Sequence, residues 1–127
     1  MSNTLAEAVG RGPVVLDGGL ATHLETLGAD LSGGLWSARL LLDPRGRRVL
    51  VRAHADFLRA GAQVLTTASY QLGGTSLHRT GQDPSLAAAL ATTSVAVAHE
   101  AASEVGVPAW VAGSVGAYGA LLADGSE

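Results

Sequence analysis

The chemistry of this chain concentrates where short apolar runs end. Val14-Val15-Leu16 runs into Asp17-Gly18-Gly19, Val64-Leu65-Thr66-Thr67 into Ala68-Ser69-Tyr70-Gln71, and Trp110-Val111-Ala112 into Gly113-Ser114-Val115-Gly116. Asp17 is the sharpest of these signals. A carboxylate directly after an apolar run can hold an ammonium group through charge-assisted hydrogen bonds. The two glycines behind it let backbone come close to a ligand. The competing reading is an aspartate that caps the following helix, accepting from Leu20 or a neighbouring N–H. Local sequence leaves the two evenly balanced. Tyr70 and Gln71 favour a pocket over core filling. Ser114 offers a hydroxyl, although a small residue in a tight turn is the commoner case. Trp36, within Ser32-Gly33-Gly34-Leu35-Trp36-Ser37, either walls a pocket or covers core, and core is the commoner use.

Several other chemistries are excluded. There is no cysteine, so the chain itself holds no disulfide, thiolate nucleophile or cysteine metal site. His23, His54, His78 and His99 are scattered, and each is expected to be solvated or satisfied singly. No pair has the spacing of a zinc-binding helix motif, which argues against a histidine metal site. The glycines form no dinucleotide fingerprint, and without lysine there is no phosphate-binding P-loop. The net charge is −3 and Arg45, Arg47 and Arg48 are the one basic cluster, which argues against nucleic acid as a partner. With 47% hydrophobic and 15% charged residues, the chain is not intrinsically disordered. The start of the chain lacks a basic, then apolar, secretory leader. No run approaches the roughly 18 apolar residues of a membrane span. These features give a cytoplasmic protein without membrane contact as the expectation.

The elements that must position these residues follow from punctuation and period. The three apolar runs are short, rich in β-branched residues and not alternating, as in strands covered on both faces. Asp43-Pro44 predicts a helix start, with Val49, Ala53, Phe57 and Ala60 on one face and Arg48, Arg52, Asp56 and Arg59 on the other. Arg52 and Asp56 are spaced to pair, and Gly61 is the expected stop. Asp83-Pro84 predicts a second helix with Leu86, Leu90, Val97 and Ala101 aligned, closed by Gly106. A shorter helix fits Leu20–Leu27, stopped by Gly28. Leu72-Gly73-Gly74-Thr75 reads as a mobile loop. Strands joined by helices imply parallel pairing and right-handed crossovers. A doubly wound sheet and part of a (β/α)8 barrel both fit, and both place a site beyond the carboxyl ends of the strands. At 127 residues, length alone suggests one domain.

Several ordered blocks resemble the homocysteine S-methyltransferase family. They are Val15-Leu16-Asp17-Gly18-Gly19-Leu20-Ala21-Thr22-His23-Leu24-Glu25; Leu35-Trp36-Ser37-Ala38 before a Pro-initiated helix; His54 to Ala62 running into Thr66-Thr67-Ala68-Ser69-Tyr70-Gln71; and Val111 to Ala120 with Leu122 to Glu127. The likeness is nearest to the branch that uses S-methylmethionine. His23 stands where the family usually has Glu or Gln, read as a surface change, and Leu72-Gly73-Gly74 departs from the usual continuation.

The resemblance implies a (β/α)8 TIM barrel that transfers a methyl group from a sulfonium donor, S-methylmethionine or S-adenosylmethionine, to homocysteine, giving methionine. It implies zinc held by three cysteine thiolates, which favours the reactive thiolate. Asp17 matches the aspartate for the homocysteine amino group, with Gly18 and Gly19 giving close backbone approach. Trp36 matches an aromatic near the donor. Thr67, Tyr70 and Gln71 match one strand end, and Ser114 and Gly116 the next. Such a barrel needs about 250 residues. Residues 1–127 therefore read as a partial homocysteine-binding domain, the first three βα units of the barrel, ending after the third strand. The chain has no zinc ligand of the family's kind, so it is expected to be inactive alone. One alternative is a non-catalytic half-barrel acting as a binding or assembly module, self-associating through exposed sheet edges. A weaker one is an unrelated small α/β enzyme using Asp17 as acid or base.

Overall fold

Asp43 and Pro44 start the helix that organises the fold. The Asp43 carboxylate accepts from the Gly46 N–H at 2.7 Å, pairing a donor that a helix start leaves free. Pro44 brings a preset φ to the first helical position. The computed structural model describes residues 3–116. In it this helix, α3, spans Pro44–Arg59, after α1 (Leu5–Arg11), α2 (Leu20–Thr26) and a 3-10 segment (Trp36–Leu42). Then follow β1 (Val64–Thr66), α4 (Gly74–Arg79), a 3-10 turn (Pro84–Leu86), α5 (Ala87–Val105) and β2 (Trp110–Ala112). The resemblance block beyond Gly116 lies outside the described residues.

The buried side of α3 is broader than the expected stripe. Leu50, Val51, Ala53, His54, Ala55 and Leu58 are buried, Val49 and Phe57 partly so, and Ala60 is exposed. The reason is that α3 packs against α5, the 3-10 segment and α2 together. Gly46 makes one of these contacts close: a Cβ there would lie 2.8 Å from Leu40 Cα, so only glycine lets the 3-10 segment seat on the first turn. The second Asp-Pro pair acts as expected but opens a 3-10 turn, with Asp83 accepting from the Ser85 N–H, before α5 begins at Ala87. Leu90, Val97 and Ala101 are buried as their spacing requires, while Leu86 is exposed. Gly106 closes α5 at φ +78°, the left-handed cap glycine favours.

Three elements stand where no helix was expected. The α1 helix carries a capping box, with the Thr4 side chain accepting from the Glu7 N–H and the Glu7 side chain from the Thr4 N–H. The Trp36 loop and the supposed mobile loop at 72–75 feed the 3-10 segment and α4.

β1 and β2 pair in parallel, with Val64 opposite Trp110 and Thr66 opposite Ala112. The strand expected at Val14–Leu16 lies on the other side of β1 but is reduced to one parallel bridge, Leu16 to Val64. Asp17 N donates to Val64 O at 3.0 Å and Gln63 N to Val15 O at 2.8 Å. Pairing goes no further because Pro13 has no N–H and the Val15 N–H donates to the Gln63 side chain at 3.0 Å instead. The expectation that all strands are covered on both faces is also corrected. β1 is buried at Val64 and Leu65, but Val15 and Leu16 are 53% and 63% exposed.

Leu24, Leu41, Leu50, Leu65 and Leu77 are fully buried in one core with Leu58, Val97 and Ala98. Each such leucine stabilises the fold by about 1.5–3 kcal/mol relative to exposure. No described helix is long and apolar enough to cross a membrane.

Candidate functional site

Asp17 leaves the 14–16 segment at the carboxyl end of the strands. Its Oδ2 accepts from the Thr66 N–H at 2.8 Å and its Oδ1 from the Thr66 hydroxyl at 2.9 Å. The carboxylate is thus fixed by the last residue of β1, and each oxygen keeps a further lone pair. This bears on the helix-cap reading of the local sequence. The N-cap of α2 is Gly19, which makes no side-chain cap bond, so Asp17 does not cap the helix. Gly18 and Gly19 are exposed. A Cβ at Gly18 would lie 3.4 Å from Phe57 Cε1, and one at Gly19 3.6 Å from Thr22 Oγ1. Both are ordinary contacts, so packing does not demand glycine, and the bare backbone stays open to a ligand.

A second cluster ties the next two strand ends together. Thr67 N donates to Ala112 O at 2.9 Å. The Thr67 hydroxyl lies 2.6 Å from that of Ser69 and accepts from Ser114 N at 3.0 Å, while the Ser69 hydroxyl donates to Ser114 O at 2.8 Å. Thr67 and Ser69 are buried. The Thr67 side chain therefore holds Ser114 in place. Tyr70 follows and is 42% exposed. A Cβ on Gly116 would overlap the Tyr70 carbonyl oxygen and lie 3.3 Å from Tyr70 Cδ1, so glycine is required for this close approach. Gln71 is buried beside it. Trp36 is 46% exposed and adopts φ +46°, a left-handed conformation uncommon for a bulky residue. Among the described residues it stands outside the buried core cluster.

Sequence spacing missed three participants. Thr66 and Ser69 lie among the named strand-end residues, and only the pairing shows which hydroxyl reaches which partner. His54 had a signal: it falls midway between Leu50 and Leu58 at helical spacing. It is fully buried and neither ring nitrogen has a hydrogen-bond partner among the described residues, which corrects the expectation that every histidine is solvated or satisfied. Burial holds its imidazole below the ordinary range, with the Asp17 charge acting in the opposite direction. His23 is likewise more than a surface change: it is half-buried, donates from Nε2 to Asp56 Oδ2 at 2.9 Å, and meets the Phe57 ring edge-on. Asp56 also accepts from Arg59 at 3.4 Å, taking the place of the expected pair with Arg52. The His23 hydrogen bond is the main cause holding the Asp56 carboxyl below the usual range.

Among the described residues no group of three or more His, Asp or Glu could hold a metal ion, and the sequence has no cysteine. The residues present therefore do not fit a thiolate–zinc centre.

The family model described as homocysteine S-methyltransferase matches residues 14–127. The chain is 42% identical to homocysteine S-methyltransferase 2 of Zea mays, over 91% of this chain and 37% of that protein. It is 41% identical to the homocysteine S-methyltransferase of Escherichia coli strain K12, over 90% of this chain and 38% of that protein. Among solved structures it is similar to the metallated form of the homocysteine methyltransferase MmuM from Escherichia coli, with a TM-score of 0.81 and 39% identity, over 98% of this chain and 45% of that one. The chain thus spans a little over a third of the length of these curated relatives.

Proposed function

The chain belongs to the homocysteine S-methyltransferase family, and from that premise we propose that it carries the amino-acid-binding part of a site for methyl transfer to homocysteine. The observation that carries this reading is Asp17, oriented through both carboxylate oxygens by Thr66 beside an open glycine backbone. An anion so fixed is suited to the ammonium group of an amino acid, because charge-assisted hydrogen bonds are the stronger ones and orientation is set before the ligand arrives. Gly18 and Gly19 receive the amino-acid backbone. Ser114 lines the adjoining strand end, and Thr67 holds it there. Tyr70 and Trp36 offer half-exposed aromatic faces suited to a cationic sulfonium donor, with Gln71 beside Tyr70. The donor is a sulfonium compound, S-methylmethionine or S-adenosylmethionine. In the transfer, the homocysteine thiol gives up its proton to solvent, its sulfur forms a bond to the methyl carbon, the carbon–sulfur bond of the sulfonium breaks, and that electron pair stays on the departing thioether.

The parallel pairing, the site at the strand ends and the likeness to MmuM support reading residues 1–127 as the first three strand–helix units of a (β/α)8 barrel. The family resemblance implies zinc, but the ligands for it are not in this chain. The work left to these residues is binding and orientation. The chain alone, given zinc, homocysteine and S-methylmethionine, should form no methionine above a protein-free control, yet bind homocysteine more tightly than N-acetylhomocysteine, which lacks the ammonium. Equal binding of the two would remove the proposed role of Asp17.

A second reading, a binding or assembly module, is favoured by the exposure of Val15 and Leu16 beside a strand edge unpaired among the described residues. Concentration-dependent association in light scattering supports it, and a monodisperse monomer argues against it.

A further inference from the structure

The parallel ladder between β1 and β2 changes character at its carboxyl end. Trp110 N donates to Gln63 O at 3.0 Å and Thr67 N to Ala112 O at 2.9 Å. Hydrogen bonds of a parallel pair are evenly spaced, so the regular partner of the next donor, the Ser114 N–H, is the Thr67 carbonyl. It goes instead to the Thr67 hydroxyl at 3.0 Å. The Ser69 hydroxyl donates to Ser114 O at 2.8 Å, and a hydroxyl has one proton to give. Across the 2.6 Å contact between the two hydroxyls, Thr67 is therefore the donor and Ser69 the acceptor. The bonds close a ring with one direction: Ser114 N–H to Thr67 Oγ1, Thr67 O–H to Ser69 Oγ, and Ser69 O–H to Ser114 O. Bonds linked in this way strengthen one another. Both backbone groups of Ser114 are held, and its half-buried side chain is what the strand end presents.

A backbone carbonyl would accept the Ser114 N–H as well, so strand pairing does not require the two hydroxyls. What the ring adds is placement. Ser69 directly precedes Tyr70, and Ser114 stands two residues before Gly116, where a Cβ would overlap the Tyr70 carbonyl oxygen. Segments 67–70 and 114–116 are thus joined twice, by the ring and by the approach of Gly116 to Tyr70, with the Tyr70 side chain left half-exposed. Asp17 takes no part in this, because Thr66 alone fixes its carboxylate. We propose that Ser69 is a positioning residue for the methyl donor: through the ring it sets the Tyr70 face against the end of β2, where that face receives the sulfonium. The inference rests on the reading of Tyr70 as the aromatic face for a cationic donor.

The test measures two preferences by calorimetry on the full chain, in the parent, in Ser69→Ala, in Thr67→Val and in the double variant. The preference for S-methylmethionine over L-methionine reports the sulfonium, and that for L-homocysteine over N-acetylhomocysteine reports the ammonium at Asp17. Ser69→Ala should lower the first by about fivefold, the scale of one cation–π contact, and leave the second unchanged. Thr67→Val, which removes the other hydroxyl of the ring and keeps its shape, should do the same. The double variant should lose no more than either single one, as parts of one network do. An unchanged sulfonium preference, a parallel fall in both preferences, or losses that multiply in the double variant each overturn the proposal. If the parent itself does not prefer S-methylmethionine, the reading of Tyr70 fails and the proposal with it. Hydrogen exchange of the Ser114 amide then locates the fault. Faster exchange in Ser69→Ala than in the parent places it in the site reading, and equal exchange places it in the ring.

Discussion

The layer of α3, α5 and the 3-10 segment is joined mainly by apolar contact, whereas the rim above β1 and β2 is joined by hydrogen bonds between residues far apart in the chain. In the layer, Leu41, Leu50 and Leu58 pack with Val97 and Ala98, and the force is non-directional. In the rim, Thr66 fixes Asp17, and Thr67 with Ser69 fixes Ser114. Those bonds are directional and set where polar groups point. The difference teaches a division of labour. The layer decides whether the strands stand side by side, and the rim decides what their ends present. His54 is a polar ring buried inside the layer.

If that division holds, substitutions should separate stability from binding. Leu50→Ala has the largest expected effect: it opens a cavity in the layer and should lower unfolding free energy in urea by about 2–5 kcal/mol. A loss well below that would mean the layer is not the main source of stability. Thr66→Val comes next. It keeps the backbone donor to Asp17 but removes the hydroxyl donor. It should cost about 1.5–3 kcal/mol, the range for a bond to a charged group, and weaken homocysteine binding by freeing the carboxylate. Gly18→Ala is smallest in stability, within about 0.5 kcal/mol, because its Cβ would meet Phe57 only at 3.4 Å. It should still weaken homocysteine binding by placing a methyl on the open rim. Unchanged binding there would show that the glycine backbone does not face the ligand.

The sequence made the layer more legible than the rim. Asp-Pro starts and Gly stops are local signals, and they located α3 and α5 with their ends close to those observed. The short α1 was also signalled, by the Thr4–Glu7 spacing of a capping box, but it lacks a buried face that period could reveal. The Val14–Leu16 strand looked as strong as β1, yet the competition of the Gln63 side chain for the Val15 N–H depends on a residue far along the chain. The same limit applied to the site. Asp17 stood out through its neighbours, but whether it capped α2 turned on Thr66, which only strand pairing brings to it. Thr67 was legible as a strand-end residue. Its work in holding Ser114 was not, because that bond joins two strands.

The most direct test of the central claim is calorimetric titration of L-homocysteine into the chain and into Asp17→Asn. The variant keeps the shape of the side chain and removes its charge. Binding by the parent and a loss of roughly tenfold or more in the variant, the scale of a charge-assisted hydrogen bond, is the predicted result. Equal affinity in the two proteins would contradict the assignment of Asp17 as the group that holds the substrate ammonium.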